Sequence, residues 1–282
     1  DTHNKGKSVA IINFESKKKI IYKPRSCDME LAFESFINWL NDKKIENYKQ
    51  LKTPKIIKGK DNKYFWVEFI EYIECNNEEE IKRFYNRIGQ ILCIMHLLNG
   101  NDLHYENLIS YGEYPMLIDL ETIVHPKVYK NNSLNRPAFD MTRDIIAESV
   151  QSSGLLPLFQ VNKKTKKFIE IVELSCKESQ SSHYKITYIE NYNTDQVKLK
   201  RGYGKFSPQN NHPKFNNTYI NSMDYINEIK SSFINMYSWF IDNKNTLSSI
   251  IEELFSNQIC RVLFRSTMVY RKILSESYYP EL

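Results

Sequence analysis

Between about Glu78 and Leu98 the chain repeats apolar residues at helical spacing, with Phe84, Ile88, Ile91, Leu92 and Met95 on one stripe. A stripe of this kind predicts a core helix. Asn99-Gly100 supplies the stop signal at its end. The chain then runs at once into Asp102-Leu-His-Tyr-Glu-Asn107, and Leu117-Ile-Asp119-Leu-Glu121 follows. These residues read as a polar loop between a core helix and a buried apolar strand, the strand ending in carboxylates. The Asp and Asn stand five residues apart, and the second Asp comes twelve residues after the Asn.

Phosphoryl transfer from a nucleotide uses that inventory. One carboxylate accepts or orients the proton of the nucleophile; an amide oxygen and a second carboxylate hold Mg²⁺ on the phosphates. Protein kinases carry the parts as a loop Asp with a downstream Asn and then Asp-Phe-Gly. The D-L-H-x-x-N order here is closer to the loop of lipid kinases, and Leu120-Glu121 replaces Phe-Gly. Upstream, Ser8–Phe14 and Lys19–Lys23 read as two strands joined by a polar turn, Glu15–Lys18. Lys23, at the end of its strand and before Pro24, is the candidate point charge for the nucleotide phosphates.

Asp28 is the expected cap of a helix reaching about Leu40, with Phe33, Phe36, Ile37 and Leu40 on its apolar face. Glu30 and Glu34 are both candidates to pair with Lys23, and helical angle alone does not choose between them. Lys55–Lys58 and Tyr64–Tyr72 read as further strands around the turn Gly59–Asn62, and the second is expected to end at a hinge near 73–77. Beyond Glu121 no Ala-Pro-Glu element closes an activation segment. Instead His125-Pro126 leads into a polar stretch, then a helical piece near 140–149. Residues 161–218 read as Lys-, Asn- and Ser-rich insertions with short β-like runs such as 184–189. Helices are expected at 219–243 and 249–255, and a strand or short helix at 258–265.

Composition narrows the class. With 282 residues, 41% hydrophobic and 26% charged, the chain suits a soluble globular protein with a sizeable core. A net charge of +5, spread through runs such as Lys17–Lys19, points away from nucleic acid. Cysteines at 27, 75, 93, 176 and 260 are odd in number and lack Cys-x-x-Cys spacing, against a disulfide framework or a zinc site. Cys93 is expected to be a core residue. No apolar run nears the ~18 residues of a membrane span, and no signal peptide opens the chain, so a cytoplasmic location is expected. The absence of an initial Met and the ending on Pro280-Glu-Leu suggest a piece of a longer protein.

The motifs together are more specific than any one of them. Asp1-Thr-His3-Asn-x-Gly6-x-Ser8-Val9 leads to Tyr22-Lys23-Pro24-Arg25. Asp102-x-His104-x-Glu106-Asn107 leads to Gly112-Glu113-Tyr-Pro115-Met-Leu-Ile-Asp119-Leu-Glu121-Thr122. Arg261-x-x-x-Arg265-x-Thr267-x-x-Tyr270 lies near the end. In this order, from residue 1 to residue 270, the set resembles the dehydratase domain of class II lanthipeptide synthetases, the LanM type. One departure is Ser266, where the family pattern usually has Pro.

The resemblance implies an α+β, bilobal, atypical lipid-kinase-like domain with family-specific insertions. Residues 1–75 would form a small β-rich lobe with one helix, and residues 76–282 a large lobe. It implies lantibiotic biosynthesis: ATP and Mg²⁺ phosphorylate Ser or Thr of a ribosomal precursor peptide, and phosphate is then eliminated to leave dehydroalanine or dehydrobutyrine. Lys23, Asn107 and Asp119 would bind the nucleotide and Mg²⁺, with Glu121 a further candidate contact. Asp102 would handle the hydroxyl proton, and His104, by residue type equally a loop histidine held by backbone bonds, becomes catalytic. Arg261 and Thr267, with Arg265 as a candidate phosphate contact, would serve the elimination, as would Asp1 and His3, and ADP would remain in the site. Full-length members carry zinc in a cyclase domain, no part of which is visible in this chain. Two other readings of the residues remain: a lipid-like or small-molecule kinase without elimination, and a nucleotide- or peptide-binding module without activity.

Overall fold

The computed structural model describes residues 7–126, 137–161, 168–171, 180–206, 210–264 and 267–277. Strands β1 (Ala10–Asn13) and β2 (Lys19–Lys23) form the expected hairpin, turning through Lys17 at φ 63°. They join β3 (Ile56–Lys58) and β4 (Phe65–Glu68) in one antiparallel sheet ordered β1-β2-β4-β3. Lys23 pairs in register with Phe65 at the sheet's end, so the lysine is delivered by β2, an inner strand paired on both sides.

Helix α1 (Asp28–Asn41) buries Phe33, Phe36, Ile37 and Leu40, the stripe read from the sequence. Asp28 does not cap it. Cys27 occupies the cap position, and Asp28 is the first helical residue; its carboxylate is taken up by Ser26 Oγ at 2.7 Å and Lys58 Nζ at 3.1 Å. Leu31 packs toward the sheet with Cys27, Phe65 and Val67, whereas Phe36 and Leu40 enter the main core. The strand read at 64–72 stops at Glu68, and the following segment crosses over so that Ile73 bridges Tyr111.

Helix α2 (Glu78–Leu97) is the axis of the core. Asn77 Oδ1 accepts the Glu80 N–H at 2.9 Å, and Glu80 reaches back to the Asn76 N–H at 2.8 Å. At the far end Asn99 takes the left-handed φ of 50°, and the Gly100 N–H closes on Met95 O at 2.8 Å. The stop signal thus works as read, with the left-handed turn falling on Asn99.

Strands β5 (Leu108–Tyr111) and β6 (Tyr114–Leu117) form a hairpin after the Asp102 loop. Glu113 in its turn is gripped by Arg83, and by Arg87 Nη1 at 2.9 Å, both on α2. Burial opposes the Glu113 charge, but the two guanidiniums outweigh it and hold the carboxyl below its usual range.

The remaining described elements are α3 (Ala138–Ala147), the paired strands β7 (Leu158–Val161) and β8 (Phe168–Ile171), and the ribbon β9 (Gln180–Glu190) with β10 (Lys198–Phe206). A two-residue pair, β11 (Lys214–Phe215) and β12 (Thr218–Tyr219), precedes α4 (Ile226–Asp242), α5 (Lys244–Phe255) and α6 (Thr267–Ser277). The helix expected from residue 219 begins at Ile226, because β12 and a 3₁₀ turn capped by Asn221 consume the intervening residues. Residues 258–264 form neither strand nor helix.

Candidate functional site

The loop leaving α2 is built to hold one shape. Asp102 adopts φ 62°, a left-handed conformation unusual for a side-chain-bearing residue. Its N–H is taken by Asn101 Oδ1 at 2.8 Å. Leu103 N–H donates to Ser153 O at 2.9 Å. Gly154, at φ 81°, lies so close that a Cβ there would stand 3.0 Å from Leu103 N. Asn107 Nδ2 closes the loop on Asp102 O at 2.8 Å, which orients the amide and leaves its oxygen as the potential ligand. His104 Nδ1 accepts the Glu106 N–H at 3.3 Å, so the neutral ring carries its proton on Nε2, 3.8 Å from Asp102 Oδ1. Asp102 and His104 are thus neighbours in one loop, the imidazole facing the carboxylate.

The β5–β6 hairpin brings the second segment alongside. Ile118 N–H donates to Asn107 O at 3.0 Å, setting Asp119 beside the Asn107 loop. Lys23 arrives from the sheet and donates to Ile118 O at 2.6 Å, its side chain buried. Burial lowers its pKa; the carboxylates of Asp119, Glu30 and Glu121 oppose that shift, and Arg25 adds to it.

Arg25, two residues after Lys23, ties the carboxylates together. Its Nη2 lies 2.5 Å from Glu30 Oε1 and 2.9 Å from Asp119 Oδ1, and its Nε lies 3.5 Å from Glu121 Oε2. Charge and close contact with Glu30 together hold the Arg25 guanidinium. Burial alone would depress the Arg25 pKa, but the Glu30, Asp119 and Glu121 charges raise it. Of the two helix carboxylates, the structure therefore selects Glu30, and gives it to Arg25.

Arg261 completes the cluster from the other end of the chain. Its Nη1 meets Glu121 Oε1 at 2.5 Å, and its N–H donates to Glu121 O at 2.6 Å. Glu121 thus stands between two guanidiniums, one on each carboxylate oxygen. The signatures at 22–25, 102–107, 119–121 and 261 meet here. Thr267 opens α6. Asp1, His3 and Arg265 lie outside the described residues. Arg25 and Glu30 acquire their place only through the fold. A trace of it was in the sequence, since Glu30 flanks the apolar face of α1.

No group of three or more His, Cys, Asp or Glu able to hold a metal occurs among the described residues. The oxygen donors of Asn107 and Asp119 nonetheless suit Mg²⁺, a hard cation that uses one or two protein oxygens and completes its shell with phosphate and water. Cys27, Cys75, Cys93 and Cys260 are free thiols, and burial pushes Cys93 up to about 12. No described helix is long and apolar enough to cross a membrane.

Over residues 1–282 the chain matches a family described as Domain of unknown function (DUF4135). It is also similar to the lacticin 481/lactococcin biosynthesis protein LcnDR2 of Lactococcus lactis subsp. lactis, with 32% identity over 292 residues. That alignment covers 99% of this chain and 30% of the relative's length. The chain belongs to this family, the N-terminal domain of LanM-type lanthipeptide synthetases.

Proposed function

We propose that the chain is the dehydratase part of a lanthipeptide synthetase, with a bilobal, lipid-kinase-like core, acting in lantibiotic biosynthesis on a ribosomal precursor peptide. The observation that carries this reading is the meeting of two inventories on one segment. Lys23 and the Asp102–Asn107 loop converge on Ile118–Asp119, and Arg261 is bonded to Glu121, two residues on. The first set suffices for a kinase; the second supplies a phosphate-binding cation that simple transfer does not need.

In the first step Lys23 holds the nucleotide phosphates and Asp102 accepts the proton of the Ser or Thr hydroxyl as its oxygen attacks the γ-phosphorus of ATP. The bond from the γ-phosphorus to the β–γ bridging oxygen breaks, with ADP as the leaving group. His104, beside Asp102, turns its Nε2 proton to the transferring group. Asn107 and Asp119 would hold Mg²⁺, which neutralises charge developing on the phosphates. In the second step a base removes the α-proton of the phosphorylated residue, the Cβ–O bond breaks, and inorganic phosphate departs with the electron pair. Arg261 offers that phosphate a planar fork of donors. Thr267, with Asp1 and His3 from the opening motif, belongs to this step by the family pattern, as does Arg265.

The test uses the full-length protein with ATP, Mg²⁺ and a Ser/Thr/Cys-rich precursor peptide, read by product mass. Loss of water at each modified residue is expected. A product that retains phosphate would make the protein a kinase without elimination. An unchanged peptide with no ATP consumed would refute the reading.

A further inference from the structure

We propose that His125 is a positioning residue for Arg261, holding the arginine's segment in the geometry that phosphate elimination requires; this rests on the dehydratase reading above. The segment carrying Arg261 is tied to the chain that follows Asp119. Residues 258–264 belong to no helix or strand, and Ile259 and Phe264 on it are 88% and 69% exposed. Cys260, beside Arg261, packs against the core, and the guanidinium meets Glu121 Oε1 at 2.5 Å. Two main-chain bonds tie its backbone to the segment after Asp119: Arg261 N–H to Glu121 O at 2.6 Å, and Leu263 N–H to His125 Nε2 at 2.9 Å.

The imidazole is prepared for that role. His125 is buried, 8% exposed, and its Nδ1 lies 3.0 Å from Pro126 O. A carbonyl can only accept, so Nδ1 carries the proton and Nε2 is left as the acceptor that Leu263 uses. The backbone beneath the ring is locked. Val124 stands at φ 56°, a costly conformation for a β-branched residue. It is held there by its N–H on Leu98 O at 2.9 Å, while the His125 N–H donates to Asn99 O at 3.3 Å and Asn99 Nδ2 donates to His125 O. The C-terminus of α2 thus supports His125, and His125 supports the segment of Arg261. That helix also launches the Asp102 loop, so one anchor registers the transfer residues and the elimination arginine against each other.

The experiment compares parent, His125→Phe and His125→Gln in the full-length protein. Phosphoryl transfer is read with the unmodified peptide and ATP, and elimination with the same peptide carrying phosphoserine, given ADP and Mg²⁺. His125→Phe keeps a flat ring but loses the acceptor. Elimination should fall roughly tenfold or more, the consequence of one misplaced hydrogen-bonded element, with transfer within about twofold of the parent. His125→Gln keeps an acceptor oxygen and should recover most of the elimination rate. Hydrogen exchange at the Leu263 amide should be slow in the parent and in His125→Gln and fast in His125→Phe, which tests the bond even if catalysis is lost. Equal losses in both steps, or a fast-exchanging Leu263 amide in the parent, would overturn the assignment. A parent that neither transfers nor eliminates would instead refute the dehydratase reading on which it rests.

Discussion

Glu30→Gln is the sharpest probe of the charged cluster. Lys23, Arg25 and Arg261 face Glu30, Asp119 and Glu121, three cations against three carboxylates. Glu30 is the most deeply buried of the acids, with 6% of its side chain exposed, and its partner Arg25 retains 21%. At ~4 Å between charge centres and an effective dielectric of ~20, such a pair is worth ~4 kcal/mol. Glutamine recovers part of the desolvation cost of a buried carboxylate and keeps an oxygen toward Arg25. Arg25 also keeps Asp119 at 2.9 Å and Glu121 at 3.5 Å. The net loss should be about 2 kcal/mol, within the range for removing one partner from a largely buried pair. Urea unfolding monitored by tryptophan fluorescence measures it, with Glu34→Gln as the control expected within ~0.5 kcal/mol of the parent. A double-mutant cycle with Arg25→Gln should return a coupling of about 1–2 kcal/mol. Phosphoryl transfer should fall as well, because an Arg25 freed from Glu30 competes for Asp119. Equal stability of the Glu30 and Glu34 variants, or zero coupling in the cycle, would show that the Arg25–Glu30 contact contributes nothing and refute the argument.

Lys23→Ala, Asp102→Asn, Asn107→Ala and Asp119→Asn should each reduce phosphoryl transfer roughly a hundredfold or more, with peptide binding nearly intact; near-parental phosphopeptide from Asp119→Asn would exclude it from the site. Arg261→Ala should accumulate phosphorylated peptide, whereas return of unmodified peptide would place Arg261 in transfer or in folding. His212 is buried with neither ring nitrogen hydrogen-bonded, and desolvation lowers its pKa from 6.5 to about 4. The unfolded chain therefore binds a proton that the folded one refuses, and stability should fall by about 3 kcal/mol from this group as pH drops from ~7 to ~4. Urea midpoints across that range should flatten in His212→Phe, and an unchanged slope would show that His212 does not titrate this way. Gly89→Ala on α2 would set a Cβ 2.3 Å from Ile229 O on α4; overpacking of ~1–3 kcal/mol should outweigh the ~1 kcal/mol gain in helix propensity, and a raised melting temperature would contradict the close helix contact.

What the sequence discloses here is what depends on near neighbours. The stripe of α2, its Asn99-Gly100 end and the β1–β2 hairpin are set by residues within a turn or two of each other, so periodicity and capping reveal them. The same local rules fail where tertiary demands intervene. Asp28 has the chemistry of a cap, but Ser26, Lys58 and Asn62 claim its carboxylate. Residues 258–265 have enough apolar content for a strand, but Arg261 and Leu263 spend their N–H groups on Glu121 and His125.

The candidate site is legible as a list of residues but not as a set of partners. Arg25 and Asp119 are 94 residues apart, and Arg261 and Glu121 are 140 apart, and no periodicity spans such distances. A lysine after a strand asks for a carboxylate, and the sequence supplies two on α1. The fold answers with neither directly: Lys23 donates to the main chain at Ile118, and the buried Glu30 is given to Arg25. The reason is charge balance in a desolvated place. Lys23 alone would face Asp119 and Glu121 with an excess of negative charge, and Arg25 and Arg261 neutralise it from opposite sides of Glu121. An arginine can serve several acceptors at once because its donors are fixed in a fork, which a lysine's single ammonium cannot match. The Tyr22-Lys23-Pro24-Arg25 run therefore carries two separable roles two residues apart: a point charge bonded to the main chain at Ile118, and a fork that draws α1, Asp119 and Glu121 into one unit.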